Sequence, residues 1–161
     1  MDKNPTLKVF ILYMLIFCTV IFIFTLHTSL KLVIFYFLFI CIFSDIGGLL
    51  FGKLLKGPKL ISISPKKTIS GSIGSFTLPF VFSTITFYSF NINFFFKEIL
   101  ILTFLISLAS QIGDIFFSYL KRKAKLKDTG KILPGHGGIL DRIDGLLLGI
   151  PVGLFYLYLI N

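Results

Sequence analysis

The sequence predicts an all-α fold: a polytopic membrane protein with about five transmembrane helices. Three observations predict it. Hydrophobic residues make up 55% of the 161, with 21 Phe among them. The mean hydropathy is +0.94, too apolar for a soluble domain of this size. Apolar runs recur at span length, which takes about 20 such residues. A chain of 161 residues is enough for one domain, here a single integral membrane domain over 1–161.

Five segments qualify as spans: roughly 8–26, 32–51, 72–90, 94–118 and 138–160. The first shows no signal-peptide cleavage pattern and is expected to stay as a membrane helix. The second carries Ser44-Asp45-Ile46-Gly47-Gly48 near its end, then Phe51-Gly52-Lys53. The third contains Pro79, which is expected to kink it while neighbouring helices re-satisfy the freed carbonyl. The fourth carries Asp114, and the fifth carries Asp141 and Asp144 in its first turns. Cys18 and Cys41 sit inside apolar segments without metal-ligand spacing and read as small hydrophobes.

The net charge of +9 would raise nucleic-acid binding in a soluble protein. Here topology explains it, and no nucleic-acid partner is expected. Lys3 and Lys8 precede the first segment. Lys53, Lys56, Lys59, Lys66 and Lys67 fill the second loop. Lys121, Arg122, Lys123, Lys125, Lys127 and Lys131 fill the fourth, and Arg142 follows. Lys31 and Lys97 mark the opposite side. The positive-inside rule then places the N-terminus in the cytoplasm and the C-terminus outside. On that topology Asp45, Asp114, Asp141 and Asp144 share one depth, beside both long basic loops. Carboxylates are costly near a bilayer, so these four are functional candidates by default. Asp114 precedes Lys121 by seven residues, about 10 Å at helical rise.

The chemistry concentrates in three motifs. Glycines beside Asp45 permit close helix approach or backbone contact with a ligand; the same pattern also reads as packing beside a water-facing acid. Ser64-Pro65-Lys66-Lys67-Thr68 leads into a Gly- and Ser-rich helix start, suited to phosphate or simply to an N-cap with a solvated basic loop. The Walker spacing is absent. The third runs Ser118-x-x-Lys121-Arg122, Lys127-Asp128-x-Gly130, Leu133-Pro134-x-His136-Gly137-Gly138, Asp141-Arg142-x-Asp144. Asp141 and Asp144, at i and i+3, fall on one helix face and together suit Mg²⁺. Lysines and arginine neutralise phosphate oxygens, and Gly137-Gly138 admits a close ligand. His136 reads as a phosphate donor, an acid, or a loop hydrogen-bonder. His27 reads as surface.

This third stretch resembles the full signature of the phosphatidate cytidylyltransferases, or CDP-diacylglycerol synthases. Ser110-Gln111-x-Gly113-Asp114, Asp45-Ile46-Gly47 with Phe51-Gly52, and Ser64-Pro65-Lys66-Lys67-Thr68 resemble the same family. The resemblance covers roughly residues 40–160. The family usually has an aromatic and a glutamate where this chain has Ile69 and Ser70, and often Tyr at Leu49. Its typical members are longer, with more helices before this region.

The resemblance implies transfer of CMP from CTP to phosphatidate, giving CDP-diacylglycerol and pyrophosphate, with Mg²⁺ and a second, monovalent cation. It implies metal ligation by Asp114, Asp141 and Asp144, and phosphate contacts from Lys121, Arg122, Lys127, Ser64, Lys66, Lys67 and Thr68. Asp128, His136 and Arg142 fall among its catalytic positions. Gly137 and Gly138 fall among its binding positions, and Asp45 is a weaker candidate for orienting a lysine. It suggests a bacterial inner-membrane homodimer. The residues alone leave open a CTP-dependent lipid kinase, a cytidylyltransferase for another lipid phosphate, and a non-catalytic shortened relative.

Overall fold

The computed structural model describes residues 13–15, 17–19, 21, 28–61, 64–90, 95–123 and 143–160. It contains two compact units, Met1–Tyr36 and Phe37–Asn161. In the first, residues 13–15, 17–19 and 21 are helical. Tyr13 and Phe17, one turn apart, stack with ring centroids at 6.4 Å.

Among the described residues, four further helices and one hairpin follow. Helix α1 spans Thr28–Leu55, strands β1 and β2 span Lys59–Ile61 and Ser64–Thr68, and α2 spans Ile69–Phe90. Helix α3 spans Phe96–Lys123, and α4 spans Leu146–Ile160. Three of these stretches, Lys31–Leu55, Ile69–Phe90 and Phe96–Lys123, are long and apolar enough to cross a membrane. The protein is an integral membrane protein of the all-α class, as its sequence predicts.

Local chemistry sets the boundaries. After α1, Lys56 takes a left-handed conformation with φ 43, and Gly57-Pro58 follows, so the helix cannot continue. The antiparallel hairpin pairs Lys59 with Thr68 and Ile61 with Ser64, with an irregularity between. The sequence reading had a plain loop here, because a strand of five residues that includes Pro65 and two lysines lacks apolar alternation. Thr68 then starts α2: its Oγ1 accepts the Gly71 N–H at 3.1 Å, an N-cap onto the third helical residue. Pro79 lies inside α2 without ending it. Helix α3 carries Glu98 in its first turn, whose Oε2 accepts the Phe95 N–H at 3.3 Å, and ends on Lys121, Arg122 and Lys123. Both ends suit the helix dipole, which lets α3 outrun its apolar stretch.

The core of the second unit forms around α3. Among its buried positions, Ile99, Thr103, Ile106, Ser110, Gly113 and Phe117 recur every three or four residues. Ser83 of α2 and Thr103 of α3 bond at 2.7 Å in the buried interior. Thr103 gives its own proton to the Ile99 carbonyl at 2.7 Å, so Ser83 is the donor between helices. Gly145, just before α4, and Gly149 and Gly153 on it form a stripe at four-residue spacing; a Cβ on Gly149 would lie 2.8 Å from Cys41 Sγ and one on Gly153 2.7 Å from the Phe37 ring. Helices α1 and α2 touch through glycine as well. A Cβ on Gly74 would strike the Gly47 carbonyl and stand 2.5 Å from Phe51 Cβ. Such small-residue contacts are how membrane helices approach closely without a hydrophobic driving force.

Gly74→Val should therefore destabilise the fold by about 1–3 kcal/mol through overpacking. Ile85→Val, at a side chain 59% exposed, should stay within about 0.5 kcal/mol. Denaturation midpoints in mixed detergent would separate the two.

Candidate active site

Antiparallel neighbours place the late part of α1, the hairpin, the start of α2, the late part of α3 and the turn before α4 at one end of the bundle. A cavity of about 330 Å³ opens there. Asp45 of α1, Asp114 of α3 and Asp144 from the turn before α4 all line it, with Lys67 and Thr68. The expected convergence of acids at one depth is seen for these three.

Each of two carboxylates has a lysine. Lys67 Nζ donates to Asp114 Oδ2 at 2.9 Å, and Lys121 Nζ reaches Asp144 Oδ2 at 3.5 Å. Asp144 Oδ1 accepts the Gly145 N–H at 3.1 Å. Gly145 is where the two acids meet: a Cβ there would lie 2.8 Å from Asp114 Oδ1 and 2.5 Å from Ser110 Oγ. Any side chain at 145 would push α4 off α3 and separate the carboxylates. Like charges about 4 Å apart repel by about 4 kcal/mol in a partly solvated protein site, so this grouping needs cations beside it. The lysines are the cations that the chain itself provides.

Several sequence expectations change in detail. Lys121, about 10 Å along α3 from Asp114 at helical rise, pairs with Asp144 across two elements. Lys67 is ion-paired with Asp114. Asp144 precedes α4 instead of lying in its first turns, with Gly145 accepting the first helical bond, from Gly149 N–H at 3.0 Å. The N-terminus of α2 is largely satisfied by its own chain: Ile69 N–H bonds the Pro58 carbonyl at 3.0 Å and Gly71 N–H bonds Thr68. Thr68 Oγ1 also meets Ser70 Oγ at 3.1 Å. Little backbone donor capacity is thus left open at this helix start.

Arg122 is exposed in the last turn of α3, outside the cavity walls. Ser64 and Lys66 belong to β2, where only the backbone is described. Lys127, Asp128, His136, Gly137, Gly138, Asp141 and Arg142 lie outside the described residues. The walls add residues that the sequence reading did not select as site residues: Ser72, Ser75, Gln111 and Ser118. A glutamine inside an apolar helix was the available signal for one of them, since membrane amides find partners.

The donors present suit a hard cation. Asp114 and Asp144 offer adjacent carboxylate oxygens, the ligand type that Mg²⁺ takes together with water and substrate phosphate. Among the described residues, no group of three His, Cys, Asp or Glu converges as a ready cage.

The cytidylyltransferase family pattern matches residues 3–160, and the chain belongs to that family. Phosphatidate cytidylyltransferase of Helicobacter pylori strain J99 is 40% identical over 116 residues, covering 72% of this chain and 43% of the relative. The enzyme of that name from Rickettsia bellii is 44% identical over 118 residues, covering 69% of this chain and 51% of the relative. That from Staphylococcus haemolyticus is 42% identical over 114 residues, with 68% and 42% covered. The chain thus spans about half the length of these curated relatives. The fold is also that of a solved intramembrane enzyme for archaeal membrane lipids biosynthesis, with a TM-score of 0.52 at 17% identity, covering 72% of this chain and 75% of that one.

Thr68→Ala should cost about 1 kcal/mol of stability through loss of the α2 cap, while Thr68→Ser keeps it. The same denaturation midpoints would test this; equal stability of all three proteins would show that the cap contributes nothing.

Proposed function

We propose that this protein transfers CMP from CTP to phosphatidate, releasing pyrophosphate and forming CDP-diacylglycerol. The observation that carries the reading is the meeting of Asp45, Asp114 and Asp144 with Lys67 in one cavity at the helix ends, where Lys121 also holds Asp144. A water-borne nucleotide and a lipid phosphate have access to a common place at such an interface. The resemblance of the 118–144 stretch and the names of the relatives support the same reading.

Both substrates are anions, so the work of the site is positioning and charge neutralisation. A phosphatidate oxygen attacks the α-phosphorus of CTP in line, and the bond to the β-phosphate oxygen breaks as pyrophosphate leaves. A lysine ammonium carries three N–H donors, so an ion pair with one carboxylate oxygen does not exhaust Lys67 or Lys121. Both ammonium groups add positive charge beside the phosphate oxygens in this reading. Asp114 and Asp144, with Asp141, would hold Mg²⁺, which supplies Lewis-acid neutralisation of the phosphates when bound. Asp45 adds negative potential that keeps cations in the cavity. The positive-inside rule supports a cytoplasmic location for this end of the bundle and for the N-terminus, in a bacterial inner membrane. A homodimer would cover further apolar surface, and a detergent-corrected mass measurement tests that.

CTP labelled at the α-phosphate should pass its label to phosphatidate in the presence of Mg²⁺. CTP labelled at the γ-phosphate should not. Asp114→Asn and Asp144→Asn should each lower the rate by about 10²–10³-fold, the usual scale for losing an electrostatic group at a phosphoryl centre. Label entering lipid only from the γ-phosphate would identify a kinase instead, and no label from well-folded protein would contradict the reading.

A further inference from the structure

Helix α1 keeps an apolar outer surface to its last residue. Leu49 is 62% exposed, Leu54 77% and Leu55 63%, with Leu50 exposed between them. All four lie within Lys31–Leu55, a stretch long and apolar enough to cross a membrane. Clustered leucines of this kind are costly in water and stable against acyl chains. The hydrocarbon layer therefore reaches about as far as Leu55, and the headgroup layer begins there.

Three lysines stand at that boundary. Lys53 is one turn beyond Leu49 on the same face of α1. Lys56 directly follows the helix, and Lys59 opens β1. All three are exposed. None of their side chains makes a hydrogen bond or an ion pair among the described residues, whereas Lys67 and Lys121 are each held on a carboxylate. The stretch 46–68 contains no Asp or Glu to balance them. The three lysines also adjoin the cavity: Leu49, on the face of Lys53, and Leu60, next to Lys59, are two of its walls.

A lysine at this depth lays its apolar stem along the leucines and extends its ammonium into the headgroup layer. Unbalanced positive charge there attracts anionic headgroups. The exposed leucines decide between a lipid and a water-borne anion, because they set the charge against the bilayer. We propose that Lys53, Lys56 and Lys59 form a docking surface for anionic phospholipid headgroups beside the cavity. Anionic lipid gathers on the side where Leu49 and Leu60 line the cavity. The binding rests on this surface alone. Its use, supplying phosphatidate to the cavity, rests on the proposed function.

The test is electron paramagnetic resonance of spin-labelled lipids around the protein in phosphatidylcholine bilayer discs. The probes are phosphatidate, phosphatidylglycerol and phosphatidylcholine carrying the same labelled chain. Both anionic probes should associate with the wild type about fivefold more strongly than phosphatidylcholine, the scale of one lysine at an anionic surface. Lys53→Gln, Lys56→Gln and Lys59→Gln together should remove most of that preference. Lys53→Arg, Lys56→Arg and Lys59→Arg together should keep it. If the triple glutamine variant does not fold, each single glutamine variant should lose part of the preference. In the label-transfer assay, with phosphatidate diluted in neutral detergent, the triple glutamine variant should need about fivefold more phosphatidate for half-maximal rate, with kcat and the KM for CTP retained. Equal association of all three probes with the wild type would mean that something other than anionic lipid covers this face, and would overturn the proposal. An undiminished preference in the folded glutamine variants would overturn it too, as would a KM change confined to CTP. Absence of label transfer would instead count against the proposed function, while the lipid-probe contrast still decides the docking surface.

Discussion

The structure depends on backbone-to-backbone approach at glycine. Carboxylates repel, and a membrane end gives them little water. They share one cavity because α4 sits tightly enough on α3 that Asp144 and Asp114 both reach the space over Gly145. The contact of Gly47 with Gly74 does the same for α1 and α2, bringing Asp45 and the hairpin lysine to that end. Helix packing and site assembly are therefore one property here. A methyl group in the wrong place affects charge spacing as much as packing.

The lysines complete the arrangement. Lys67 arrives on a short hairpin between two membrane helices, and Lys121 arrives on the polar extension of α3. Each is anchored on a carboxylate from a different element, so the ion pairs tie hairpin to α3 and α3 to the α4 turn. Partly exposed pairs of this kind add little stability on their own. On the proposed function, their value lies in pre-placing cations for two anionic substrates, the dominant requirement of phosphoryl chemistry.

Much of this was legible in the sequence, for physical reasons. Apolar run length identified the three long spans, and membrane carboxylates marked Asp45, Asp114 and Asp144. The hairpin was hidden because Ser64–Thr68 carries turn and charge residues in place of a strand pattern. The pairing of Lys121 with Asp144 was hidden because it depends on how α4 docks, which helical rise along α3 does not encode. The Gly145, Gly149 and Gly153 spacing was visible, yet a four-residue repeat of glycine reads as docking only once a partner helix is in view. Gln111 was quoted within a motif, but its hydrogen bond is with Ser72, 39 residues away.

The central claim is that Asp114 and Asp144 together make a cation site for a phosphate substrate. Electron paramagnetic resonance of Mn²⁺, as a stand-in for Mg²⁺, measures it most directly in the presence of CTP. The account predicts a bound Mn²⁺ signal that needs CTP for full occupancy and weakens strongly in both Asp114→Asn and Asp144→Asn. Undiminished Mn²⁺ binding in both folded variants would contradict it.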